Sequence, residues 1–158
     1  MNCGAGHRGA ITVDYDTVLV PTDGSDEVDR ALGHALRIAV DHDAALHALY
    51  VVDGRILRAA GEDRESVATD LRRRGEGAVA AVADRVGAAG VETVTAVREG
   101  TPDVAIRDYA ADVDADVVVM APHGRTGRER LRSLGSVTER VVTDAERPVF
   151  VVGAERES

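Results

Sequence analysis

Apolar residues along this chain fall into short blocks, separated by stretches in which they recur every three or four positions. Thr17–Val20 (TVLV), Ala45–Val52 (ALHALYVV), Val91–Val97 (VETVTAV), Asp116–Ala121 (DVVVMA) and Val149–Val152 (VFVV) have the length and β-branched content of strands. After the first block, Val28, Ala31, Leu32, Ala35, Leu36 and Ala39 lie on one face of a helix, which Ser25 is placed to cap with Asp26 and Glu27 in its first turn. A long helix is predicted from about Arg64 to Ala88, with Val67, Leu71, Val79, Val82 and Val86 inward. Thr101-Pro102-Asp103 marks another helix start, ending near Val113, and a last helix runs from Val137 to about Ala145. Strands and helices therefore alternate without a hairpin. That pattern predicts an α/β fold: an open five-stranded parallel sheet with right-handed crossovers and helices on both faces. Runs such as VVVM agree with strands buried on both sides. Residues 1–14 read as a Gly-rich arm, 15–153 as a single domain and 154–158 as a polar tail.

Composition narrows the chemistry. Apolar residues make up 44% of the 158 but aromatic ones only 3%, so Val, Ala, Leu and Ile must fill the core. No apolar run reaches the roughly 18–20 residues of a membrane span, and the first dozen residues lack a secretory core. The one cysteine, Cys3, cannot form an internal disulfide and fits a reducing, cytoplasmic setting. Acidic residues outnumber basic ones 28 to 19, a net charge of −9 that disfavours nucleic acid and anionic membrane as partners. Every basic residue is Arg. Without Lys there is neither a P-loop nor a Schiff base. Abundant Asp without Lys is a haloarchaeal-like composition, or the mark of a strong GC bias.

In an open parallel sheet, ligands bind beyond the carboxyl ends of the strands, where strand order reverses. The loop after the fourth strand stands out. From Pro122 to Ser136 it holds Arg125, Arg128, Arg130 and Arg132 against Glu129, a local +3 in an acidic chain. Gly124, Gly127 and Gly135 let backbone amides approach a phosphate, and the following helix start adds its dipole. The same residues also fit a solvated linker, with Ser136-Val137-Thr138-Glu139 as a capping box. Asp23, just past the first strand, is either a hydrogen-bond acceptor for a ligand or a solvated turn residue. Gly4-Ala5-Gly6-His7-Arg8-Gly9 spells a dinucleotide fingerprint but precedes the first strand, where that motif has no function. The five histidines show no metal spacing; only His123 lies in the candidate loop. A receiver domain and a nucleophile elbow are excluded, since no Lys and no G-x-S-x-G is present.

These residues resemble the universal stress protein family over roughly Tyr15 to Gly153. The matching pieces are VLVPTDGSD (Val18–Asp26), ALYVVD (Ala48–Asp53), EGTPDVAI (Glu99–Ile106), ADVVVMAPHGRTG (Ala115–Gly127), LGSVTERVV (Leu134–Val142) and RPVFVV (Arg147–Val152). The resemblance implies a Rossmann-like sheet in order 3-2-1-4-5, of the adenine-nucleotide alpha hydrolase type. Many members bind ATP through a G-2x-G-9x-G-[S/T] pattern. Carried over, Pro21, Thr22 and Asp23 would lie by the adenine with Val51 packed on it. Gly124, Gly135, Ser136 and Val137 would meet phosphates and ribose. Met120, Ala121, His123, Arg125 and Gly127 complete the expected nucleotide-binding set. Two positions depart from the pattern: the first Gly is Ala121, and ten residues separate Gly124 from Gly135. The expected function is a non-catalytic, ATP-binding stress-response or signalling module, with Mg2+ riding on the phosphates where a metal is used. Alternatives are a nucleotide-free, dimeric interaction module and a slow ATP hydrolase with no base beyond Asp23 or His123. A homodimer is expected through Val149, Phe150, Val151 and Val152, because an apolar edge strand without charge or internal Pro invites pairing and family members commonly pair there.

Overall fold

The computed structural model describes residues 11–122 and 134–153. Five strands, β1 (Thr17–Pro21), β2 (Ala45–Asp53), β3 (Thr93–Gly100), β4 (Val117–Met120) and β5 (Val149–Val151), form one parallel sheet in the order β3-β2-β1-β4-β5. Five α-helices connect them: α1 (Val28–His42), α2 (Gly54–Ala59), α3 (Arg64–Gly87), α4 (Pro102–Asp112) and α5 (Ser136–Asp144).

The two-residue period of the strands divides the core into two layers. Val18, Val20, Ala48, Tyr50 and Val52 pack against α1 and α3, with Ala35, Val82 and Val86 among the helix residues that meet them. Leu19, Leu49, Val118 and Met120 face α4 and α5, where Ile106, Tyr109 and Val141 cover them. Small residues on α1 and β2 let the helix lie close to the sheet in a protein nearly without aromatics. The expected inward face of α1 is buried, except that Leu36 is only partly covered.

Three local expectations change. Ser25 does not cap α1: Glu27 is the N-cap residue, and the Ser25 hydroxyl donates instead to Asp23 Oδ1. The β2–β3 connection contains α2, two turns too short to show a helical period, started by Asp53, whose carboxylate accepts the Arg55 N–H. The third strand begins at Thr93 rather than Val91 and runs on to Gly100. The helix after Thr101 starts with Pro102 at its first position as expected, with Thr101 making no side-chain cap. Among the described residues no helix is long and apolar enough to cross a membrane.

Candidate functional site

Strand register opens the site. β1 pairs with β4 only through Val18↔Val117 and Leu19↔Val118, although β1 runs on to Pro21 and β4 to Met120. Beyond Leu19 each strand follows its other neighbour. Pro21 stays level with Leu49, Thr22 N–H donates to Leu49 O (2.8 Å), and Val152 N–H donates to Met120 O (3.0 Å). The two central strands therefore part at their carboxyl ends, and a cavity of about 520 Å3 lies beyond them. Its volume falls within the roughly 300–1,000 Å3 usual for small-molecule sites.

All nine described residues among the expected nucleotide-binding set line this cavity. Pro21, Thr22 and Asp23 come from the end of β1, Val51 from β2, Met120 and Ala121 from β4, and Gly135, Ser136 and Val137 from the start of α5. His123, Gly124, Arg125 and Gly127 lie outside the described residues, as do the other arginines of that loop.

The β1 turn is held from within. Gly24 adopts φ +83°, a left-handed conformation that glycine takes without a Cβ penalty. Its N–H donates to Thr22 Oγ1 (3.0 Å), while Ser25 N–H donates to Asp23 Oδ1 (2.9 Å). Asp23 is thus a turn-forming residue and a cavity-lining one at once. On the opposite side, Gly135 is the N-cap residue of α5 and has no side chain to cap that end. The capping box read from Ser136 and Glu139 does not form: Ser136 is the first helical residue, and Glu139 N–H donates to Gly135 O (2.9 Å). Among the described residues no side chain accepts from the first-turn amides of α5, at the positive end of the helix dipole. Gly135 N–H donates to Pro122 O (2.8 Å), and buried Thr138 donates to Ala121 O (2.9 Å), which pins this end to β4.

Leu49, Val51, Ile106 and Met120 form an apolar wall between the turn and the helix start. Sequence reading missed a further wall made by Ile56 and Arg55 of α2 and by Leu71 and Arg74 of α3. Arg55 is tied to Asp53, with Nη2 at 2.8 Å from Oδ2 and Nε at 3.1 Å from Oδ1. Those hydrogen bonds hold the Asp53 carboxyl below its ordinary range, against the opposing effect of burial, and raise the Arg55 guanidinium. The signal that could have found α2 is Asp53-Gly54-Arg55, a cap residue directly after a strand.

A second, smaller cavity of about 210 Å3 lies between α4, α5 and β5. Its two arginines are already paired: Arg107 reaches Asp103 (2.9 Å) and Asp144 (3.6 Å), and Arg147 reaches Asp114 (3.2 Å). Among the described residues no group of three or more His, Cys, Asp or Glu side chains could hold a metal ion.

The architecture is that of a doubly wound α/β domain with a cavity at the switch point of the sheet. Residues 14–153 match the model of the universal stress protein family, and the chain belongs to that family. It is 39% identical over 140 residues to universal stress protein MJ0531 of Methanocaldococcus jannaschii, covering 87% of this chain and 82% of that protein. The solved structure of MJ0577 superposes with a TM-score of 0.82 at 26% identity, covering 92% of this chain and all of that one. Two solved family structures hold nucleotides. One, in complex with cAMP, has a TM-score of 0.62 at 24% identity and covers 89% of this chain and 98% of that one. The other, from Archaeoglobus fulgidus in complex with dAMP, has a TM-score of 0.62 at 22% identity and covers 88% and 98%. Both share the fold with this chain. These relatives give the haloarchaeal reading of the composition no support.

Proposed function

We propose that this chain binds an adenine nucleotide, ATP, in the main cavity and acts as a non-catalytic stress-response or signalling module. The observation that carries the reading is the pairing of an apolar wall with the glycine-led start of α5 across one cavity. A base is held by apolar packing and a few polar contacts; phosphates are held by free backbone amides and a helix dipole. Val51 and Met120 would pack the base, Asp23 would accept a hydrogen bond from base or ribose, and Ser136 and Val137 would offer their N–H groups to phosphate. The cAMP and dAMP complexes of family members support a nucleotide in this fold. Any Mg2+ would ride on the phosphates.

A second reading is favoured by Ala121, which is only 7% exposed and lines the cavity where the family motif has glycine. Its methyl occupies room that close approach of ribose would need, and a chain that fails to bind nucleotide would then act through protein contacts. Calorimetry decides between the two. ATP should bind wild type, and Gly135→Val should abolish binding by blocking backbone approach. The Gly135 backbone (φ −65°, ψ 159°) is extended and accepts a β-branched residue without backbone strain, and circular dichroism checks that the variant is folded. No heat from wild type at millimolar ATP would favour the second reading, and equal affinity in Gly135→Val would remove the phosphate assignment.

A further inference from the structure

The main cavity is wider than a site between β1, β4 and α5. It continues across the end of β2 to the other face of the sheet, where Val28, Tyr50, Ile56, Leu71 and Arg74 line it. Leu49 and Val51 belong to the α4–α5 layer, whereas Tyr50 belongs to the α1–α3 layer, so both layers border the cavity and the α1–α3 side is called its second lobe.

Tyr50 is the unusual group in the second lobe. It is only 8% exposed. Its ring lies directly against Gly75 of α3. Its hydroxyl has no hydrogen-bond partner among the described residues, yet no side-chain polar atom among them is both fully buried and unpartnered. The hydroxyl therefore keeps a small opening to solvent, and the space that Tyr50 borders is the cavity. A phenol this deep is ordinarily hydrogen-bonded within the protein. Arg74, the residue before Gly75, lines the same lobe and makes no ion pair among the described residues. The nearby Asp53 and Arg55 already satisfy each other at 2.8 Å. The buried phenol and the exposed guanidinium thus border the same cavity as the apolar side chains of Val28, Ile56 and Leu71.

We infer that this lobe is an accessory subsite for a small oxyanion, carboxylate or phosphate, carried on an apolar or aromatic body. The Tyr50 hydroxyl and the Arg74 guanidinium are its hydrogen-bond donors. A guanidinium fork and a phenol match the lone pairs of either oxyanion, and the apolar floor takes the body. The subsite stands independently of the nucleotide reading, because its donors come from the other face of β2.

Benzoate and phenyl phosphate share a body and differ in the oxyanion, so an amide NMR titration of the full chain with each tests the assignment. Saturable shifts are expected at Tyr50, Leu71 and Arg74, and the tighter probe identifies the oxyanion. Tyr50→Phe, which keeps the packing, should weaken binding roughly 2- to 10-fold, and Arg74→Ala roughly tenfold or more. The shifts should persist in Gly135→Val. The assignment is overturned by any of three results: no saturable shift with either probe at tens of millimolar, wild-type affinity in both folded variants, or loss of the shifts in Gly135→Val, which would place the probe at α5.

Discussion

Gly75 sits midway along α3, where Ala is better than Gly by about 0.8–1.0 kcal/mol. On helix propensity alone, Gly75→Ala stabilises. The packing reverses that sign. A Cβ on Gly75 would stand 2.5 Å from Tyr50 Cδ1, 2.8 Å from Cγ and 3.1 Å from Cε1. Carbon atoms pack best at about 3.5–4.0 Å, so ring or helix must give by roughly 1 Å. Tyr50 is buried against the α1–α3 core, and overpacking of this kind costs about 1–3 kcal/mol. The expected net effect is a destabilisation of up to about 2 kcal/mol once the propensity gain is subtracted. Gly77, two residues on, has nothing within 4 Å of its would-be Cβ, so Gly77→Ala should stabilise by about 1 kcal/mol. Tyr50→Ala, itself costing about 3–5 kcal/mol, removes the obstacle, and in that background Gly75→Ala should stabilise by about 1 kcal/mol. Urea unfolding of the four proteins of this cycle, followed by circular dichroism, reads the coupling directly. If Gly75→Ala stabilises the wild type as Gly77→Ala does, or destabilises equally with and without the Tyr50 ring, the contact does not set the glycine.

Burial lowers the His47 pKa from its ordinary 6.5, with a smaller opposing effect from Glu92. Between the lowered value and 6.5 the unfolded chain binds more protons, so stability should be fullest above about pH 6.5 and fall as the pH drops through that window. Asp53, depressed below 3.8 chiefly by its Arg55 hydrogen bond, has the same sign but acts below pH 3.8. Thermal unfolding from about pH 5 to 7.5 lies clear of the Asp53 effect, and an unchanged slope in His47→Gln would refute the assignment to His47. For the proposed homodimer, Phe150 on the edge strand β5 is 43% exposed, against a base rate of aromatic residues so low that it is the only Phe present. Phe150→Asp should convert dimer to monomer by light scattering; a wild type already monomeric at micromolar concentration would remove the proposal.

The strands and long helices were legible because their periods are written in Val, Ala and Leu with little competing signal. Val28 to Ala39 keeps one apolar stripe, and VVVM can only be a strand covered on both faces. What was not legible depends on contacts distant in sequence. Nothing around Gly75 announces that Tyr50, 25 positions earlier, occupies the space of its missing side chain. Ser25 has the chemistry and position of a cap, yet Asp23 two residues before it offers a charged acceptor, and the hydroxyl goes there. Ser136 and Glu139 have capping-box spacing, but Gly135 takes the cap position, which shifts the helix start by one residue. With the box unformed, no side chain among the described residues accepts from the first N–H groups of α5, whose residues border the cavity.

The site itself was half legible for a related reason. A parallel sheet opens at the point where a strand's two neighbours are reached by connections running in opposite directions, and here that point is between β1 and β4. Any residue directly after β1 or β4 must then border the opening, so Thr22, Asp23 and Ala121 could be found by counting from the ends of apolar runs. The far wall follows no such count. Ile56 and Arg55 reach the cavity because Asp53 turns the chain into α2 immediately after β2, and Leu71 and Arg74 because α3 can lie against Tyr50 only where Gly75 removes a side chain. The same glycine that lets α3 approach the sheet therefore sets Arg74 on the cavity wall next to the contact with Tyr50. The close helix–strand contact and the second lobe of the cavity have a single physical cause.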